Sequence, residues 1–128
     1  MLKRRILSVL LVLAMLVPFA GAAQTAQDNM RGVWVASVAN IDYPSSAGMT
    51  AQALAAEADT MLDNIAAMGL NTVFLQVRPS ADALYRSGLF PQSRYVSGTC
   101  GASPDGDFDV LAYWVEGAHK RGLQLHAW

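Results

Sequence analysis

The chain is short of several residue types on which particular kinds of site depend. It holds one cysteine, Cys100, in 128 residues, which excludes an internal disulfide framework and any multi-cysteine zinc centre. It holds two histidines, His119 and His126, and two do not make a metal site. Neither a metal nor a cofactor is therefore expected. No G-x-S-x-G nucleophile elbow occurs, and no G-x-G-x-x-G or Walker lysine is present to cradle a nucleotide phosphate. Charge is sparse, at 15% of residues against 53% hydrophobic. Three of the nine basic residues, Lys3, Arg4 and Arg5, crowd into the first five positions; the rest carries six basic against ten acidic residues, a net charge of −4. Those six (Arg31, Arg78, Arg86, Arg94, Lys120, Arg121) are scattered, so no electrostatic footprint for nucleic acid exists.

What is present is apolar, and it is organised. Residues 1–22 have the order of a secretory signal: the basic Lys3-Arg4-Arg5, an apolar run from Ile6 to Ala20 interrupted only by Ser8, and the small-x-small triplet Ala20-Gly21-Ala22. The run is too short for the roughly 20 residues that span a bilayer. The expectation is an exported protein of the periplasm, envelope or exterior that meets a membrane only through this signal. Residues 23–29 are a polar lead-in, and residues 30–128 carry the fold.

Arg31–Val38 is a β-rich run of nearly continuous apolarity, which suits a strand buried on both faces. Thr50 is a candidate N-cap. After it Leu54, Ala58, Met61, Leu62, Ile65 and Met68 recur at spacings of three and four, with Gln52, Asp59 and Asp63 on the other side, and Gly69 as a left-handed stop. Asn71–Val77 reads as a second strand, closed by Arg78-Pro79. A long connection, Ser80–Phe108, leads to Asp109, the cap of a second helix with Leu111, Trp114, Val115 and Ala118 inward and Glu116 and Lys120 paired at i,i+4. Gly122 ends it, and Leu123–Trp128 reads as a third strand.

Strand and helix in alternation, with glycine between each helix and the next strand, predict βαβ units and a parallel sheet. With no glycine-rich turn after the first strand, a (β/α)8 barrel is favoured over a doubly wound nucleotide-binding fold. A barrel needs about 250 residues and eight strands, so the expected fold class is α/β: the incomplete amino-terminal part of a barrel, with three parallel strands and two helices, a fragment needing the rest of the barrel to fold.

The residues also carry a resemblance. R-G-V-W at Arg31–Trp34, N-x-D-Y-P-S from Asn40, Q-V-R-P-x-x-D-A-L-Y from Gln76, S-R-Y-x-S-G-T from Ser93 and A-H-K-R-G-L-x-x-H-A-W from Ala118 resemble, in order and spacing, the amino-terminal third of the glycosyl hydrolase-like family 10 domain. Val110 departs from the pattern, standing where relatives usually have proline. The resemblance implies an exported bacterial barrel and a glycoside hydrolase of cell-wall polysaccharide, for some relatives the peptidoglycan glycan strand. It also implies that the paired catalytic acids lie beyond Trp128, so that this chain alone is inactive and its catalytic residues are not among those given. A carbohydrate-binding barrel without catalysis is the alternative reading.

Barrels place function in the loops after the strands' carboxyl ends. Here those loops hold Asn40, Asp42 and Tyr43, then Arg78, Asp82, Tyr85 and Tyr95, then His126 and Trp128; all nine are expected to bind substrate. The four aromatic residues Tyr43, Tyr85, Tyr95 and Trp128 are suited to stack on pyranose faces. Asp42 and Asp82 are the loop carboxylates, and glycoside hydrolysis needs two, about 5–5.5 Å apart for retention and 6.5–9.5 Å for inversion. Asp82, four residues after Arg78, is better placed to orient substrate than to act as a general acid; the alternative is a structural Arg78–Asp82 ion pair. Trp34 reads as core or barrel interior, His119 as solvated surface, and Cys100 as a loop thiol.

Overall fold

The computed structural model describes residues 29–128. The secretion signal expected over residues 1–22 lies outside them. Three strands, β1 (Gly32–Val35), β2 (Thr72–Leu75) and β3 (Gln124–Ala127), form one parallel sheet in the order β1-β2-β3. Each is shorter than the β-rich run that predicted it. Val38, assigned from sequence to the first strand, already belongs to a turn over Val38–Asn40 in which Ala39 and Asn40 both have left-handed backbone (φ 54 and 53).

Helix α1 (Ala51–Ala67) forms where the periodicity placed it. Thr50 caps it, its side-chain oxygen accepting from the Ala53 amide, which satisfies one of the amides a helix start leaves unpaired. Leu54, Ala58, Leu62 and Ile65 are buried along one stripe, and Gly69 turns the chain with φ +74, a conformation costly for any residue with a Cβ. The long connection is less irregular than its sequence implied. It contains a short helix α2 (Arg94–Ser97), a turn over Asp105–Asp107 and a bridge between Ala83 and Gln92. Helix α3 (Val110–Lys120) then starts on Asp109, whose carboxylate accepts from the Ala112 amide.

Both long helices cover the same face of the sheet. Val35, Val73 and Leu75 project into a core with Leu54, Leu62, Trp114 and Ala118. The helices approach so closely that a Cβ on Gly117 would lie 2.8 Å from the Leu62 methyl Cδ1. The opposite face carries Trp34, Phe74 and His126 in one register row. Trp34 stacks on Phe74 at 4.2 Å, and His126 lies 5.1 Å from the same ring. Trp34 is therefore not in the core between sheet and helices: it stands on the open face, 61% exposed. Three parallel strands with helices on one side and an aromatic row on the other are an α/β segment of a partial barrel, the uncovered face corresponding to the lumen.

Candidate functional site

The carboxyl ends of the three strands are tied together by buried polar groups, and sequence reasoning singled out none of these as functional. Gln76, just past β2, is buried. Its side-chain oxygen accepts from the Ser37 and Val38 amides, both at 2.9 Å, while its carbonyl accepts from the Ser37 hydroxyl at 2.8 Å. On the other side the Val77 amide donates to the Trp128 carbonyl at 2.7 Å. The signal that could have exposed this anchor was a glutamine and a serine interrupting otherwise apolar strand sequence.

On this base stand the predicted residues. The Asn40 amide donates to the Pro44 carbonyl (2.7 Å) and to the Tyr95 carbonyl (2.8 Å), so it holds the first loop against α2; asparagine is also the side chain that best tolerates the left-handed backbone there. Asp42 is exposed, and one oxygen accepts from the Ala36 amide at 2.7 Å. The Tyr95 hydroxyl lies 3.3 Å from the Ser80 hydroxyl and accepts from Arg94 at 3.3 Å. These two contacts, Ser80 first, hold the phenol below its usual range. His126 sits on the open sheet face, and Trp128 is half exposed at the end of β3. Tyr85 is half-buried and packs against the core.

Three expectations are corrected. Tyr43 offers no face to a sugar: it is fully buried, its hydroxyl donates to the Leu54 carbonyl at 3.1 Å, and Trp114 packs edge-on against it with centroids 4.9 Å apart. Desolvation by this burial raises its pKa well above the ordinary value. The physical cause is the turn before it. The amides of Asp42 and Tyr43 both donate to the Ala36 carbonyl, which swings Tyr43 under the loop and leaves Ile41 outside. Second, Arg78 and Asp82 do not pair. The Arg78 guanidinium lies 3.5 Å from the centre of the Phe90 ring. Third, Asp82 is buried and accepts from the Ser80 amide at 3.1 Å, so its carboxylate braces the loop and does not stand open to a ligand.

With Tyr43 and Asp82 buried and Tyr85 packed on the core, the groups that reach solvent after the strands and on the open sheet face are Asn40, Asp42, Arg78, Ser80, Arg94, Tyr95, His126 and Trp128. A separate cavity of about 380 Å³ lies within the long connection, between Arg86, Phe90, Gln92 and Phe108; it meets the face only through Phe90, the ring under Arg78.

The arrangement brings aromatic, amide and guanidinium groups to the carboxyl ends of parallel strands. Residues 29–128 match the glycosyl hydrolase-like 10 family. The chain belongs to that family. It is 43% identical over 112 residues to the glycosyl hydrolase YngK of Bacillus subtilis strain 168, an alignment covering 88% of this chain and 21% of that protein. It is 35% identical over 127 residues to the glycosyl hydrolase DigH of Escherichia coli K12, covering 90% of this chain and 28% of that protein. The chain thus spans well under a third of the length of these curated relatives.

Proposed function

We propose that these residues form part of a glycoside hydrolase acting on bacterial envelope polysaccharide, such as the glycan strand of peptidoglycan, and that they supply one wall of its cleft. The reading is supported by the position of Asn40, Arg78, Tyr95, His126 and Trp128 on or after the carboxyl-terminal halves of three parallel strands in a chain of this family. An envelope substrate is supported by the signal-like order of residues 1–22.

In this reading the wall binds and orients, and the bond is broken by acids on other strands of the barrel. Asp42 and Asp82 are poor candidates for that pair, because each already serves a backbone amide at 2.7 and 3.1 Å. Asn40 and the Gln76 anchor fix the loops before substrate arrives, which lowers the ordering cost of binding. Trp128 offers an exposed ring at the strand tip for a sugar face. The test is reducing-end release from purified peptidoglycan glycan strands by the complete gene product that carries these residues. New reducing ends are expected. A folded product that binds glycan and never cleaves it would favour the binding-protein alternative, and one that does neither would overturn both.

A further inference from the structure

Independently of the hydrolase reading, we infer that the cavity within the long connection binds a small zwitterion, an apolar amino acid or short peptide whose carboxylate meets Arg86 and whose ammonium meets Asp107. The cavity measures about 380 Å³, within the roughly 300–1,000 Å³ of small-molecule pockets. Arg86, Asp107, Gln92, Phe90 and Phe108 all line it, so one enclosure holds a cation, an anion and two aromatic rings. The two charged groups are fixed by the backbone and not by each other. Nη2 of Arg86 donates to the Asp107 carbonyl at 2.6 Å, and the Asp107 amide donates to the Pro104 carbonyl at 3.1 Å. Among the described residues the Asp107 carboxylate makes no hydrogen bond and no ion pair, with Arg86 or with any other cation.

Neighbouring opposite charges ordinarily pair and cancel. Here the guanidinium is drawn to a carbonyl instead, which uses one of its five N–H donors and leaves the others, with the whole Asp107 carboxylate, to a ligand. A ligand with one charge would satisfy one group and meet the other as a like charge, whereas a zwitterion satisfies both. Gln92 donates to the Tyr85 carbonyl at 2.9 Å, and its side-chain oxygen remains as a further acceptor for an ammonium. The two rings are held by residues outside the cavity lining: Phe108 lies 5.2 Å from the Tyr113 ring, and Phe90 lies 3.5 Å from the Arg78 guanidinium. They offer apolar surface, which suits an apolar side chain. Arg86 and Asp107 are both exposed, so the site opens to solvent.

The test is calorimetric titration of the complete gene product with two series, one built on L-leucine and one on L-leucyl-L-alanine, each as the zwitterion, the N-acetyl form and the carboxyl-terminal amide. In the series whose charges match the span of the site, the zwitterion is expected to bind about tenfold tighter than either capped form. That series tells a free amino acid from a peptide. Asp107→Asn removes the charge and keeps a side chain that tolerates the left-handed backbone at this position (φ 54); it should bring the zwitterion and the N-acetyl form to nearly equal affinity. Arg86→Lys, which keeps the charge but loses the fork, should weaken both of these forms and leave the zwitterion the tighter. A capped form that binds as tightly as its zwitterion in both series overturns the inference, and so does the absence of binding in both. An unchanged preference in Asp107→Asn overturns it as well. None of these results bears on the hydrolase reading.

Discussion

At the scale of single residues, Gln76 decides whether the face exists. Its side chain satisfies two amides of the first loop, and a buried amide left unpaired costs about 1–3 kcal/mol. Gln76→Leu is expected to destabilise the complete product by about 2–4 kcal/mol in denaturant unfolding. Gln76→Glu, which retains the acceptor oxygens, should cost less; equal losses would show that the two amides are not what Gln76 serves. Tyr43→Phe should cost about 1 kcal/mol of stability, from the lost bond to Leu54, with glycan affinity unaltered. Residue chemistry was readable where local sequence controls it, as at the Thr50 and Asp109 caps. It was not readable at Tyr43, Arg78 and Asp82. Their partners are Leu54 and Trp114 for the first, Phe90 for the second and a backbone amide for the third, contacts set by how the loop folds back.

At the scale of elements, the periodicity of α1 and the strong turn signals at Gly69 and Gly122 made the strand–helix alternation legible in the sequence. Strand ends were not, because apolar residues such as Val38 and Val77 continue past the ladder. The small helix α2 escaped for a different reason: at four residues it has no repeat to detect, and it is stabilised by Ser93, whose side chain accepts from Tyr95. The two long helices are joined across their outer groove by Arg121, which donates to Asp63 at 2.6 Å and Asp59 at 3.1 Å. Sequence had placed both aspartates on the side of α1 opposite its apolar stripe, without naming Arg121 as their partner. The hydrogen bond from Arg121 holds the Asp63 carboxyl below its ordinary value of 3.8. A lowered folded pKa means the link contributes above that ordinary value and is lost as pH falls through the lower, folded one. Arg121→Gln should thus lower Tm near neutral pH, by a small amount since Asp63 is largely exposed. The difference from the parent should shrink once the pH falls below the usual carboxylate range. A constant difference across that range would assign the effect of Arg121 to packing instead.

At the scale of the whole molecule, the described sheet has a sealed side and an open one. Trp34 at 61% exposed and Trp128 at 50% exposed are large apolar groups that a monomeric domain rarely leaves in water as one surface, and β1 and β3 are edges of the described sheet. Unpaired edges and an open apolar face favour association. Residues 24–128 produced alone are therefore expected to bind a hydrophobic dye and to melt without a cooperative transition, whereas the complete product should do neither. A sharp two-state melt of a monomeric 24–128 would mean that the open face needs no cover. The alternation of elements made the barrel legible because it is a property of local patterning. Which side chains meet on the open face was less so, since the row of Trp34, Phe74 and His126 depends on the register of three strands drawn from distant parts of the chain.

The central claim is that glycan lies across the carboxyl ends of these strands. Its most direct test is a crystal structure of the complete gene product with an oligosaccharide cut from the peptidoglycan glycan strand. The sugar is predicted within hydrogen-bonding distance of Arg78 or Arg94, with a ring near Trp128. An oligosaccharide seated at the amino ends of the strands, or on the outer surface of α1 and α3, would contradict the account.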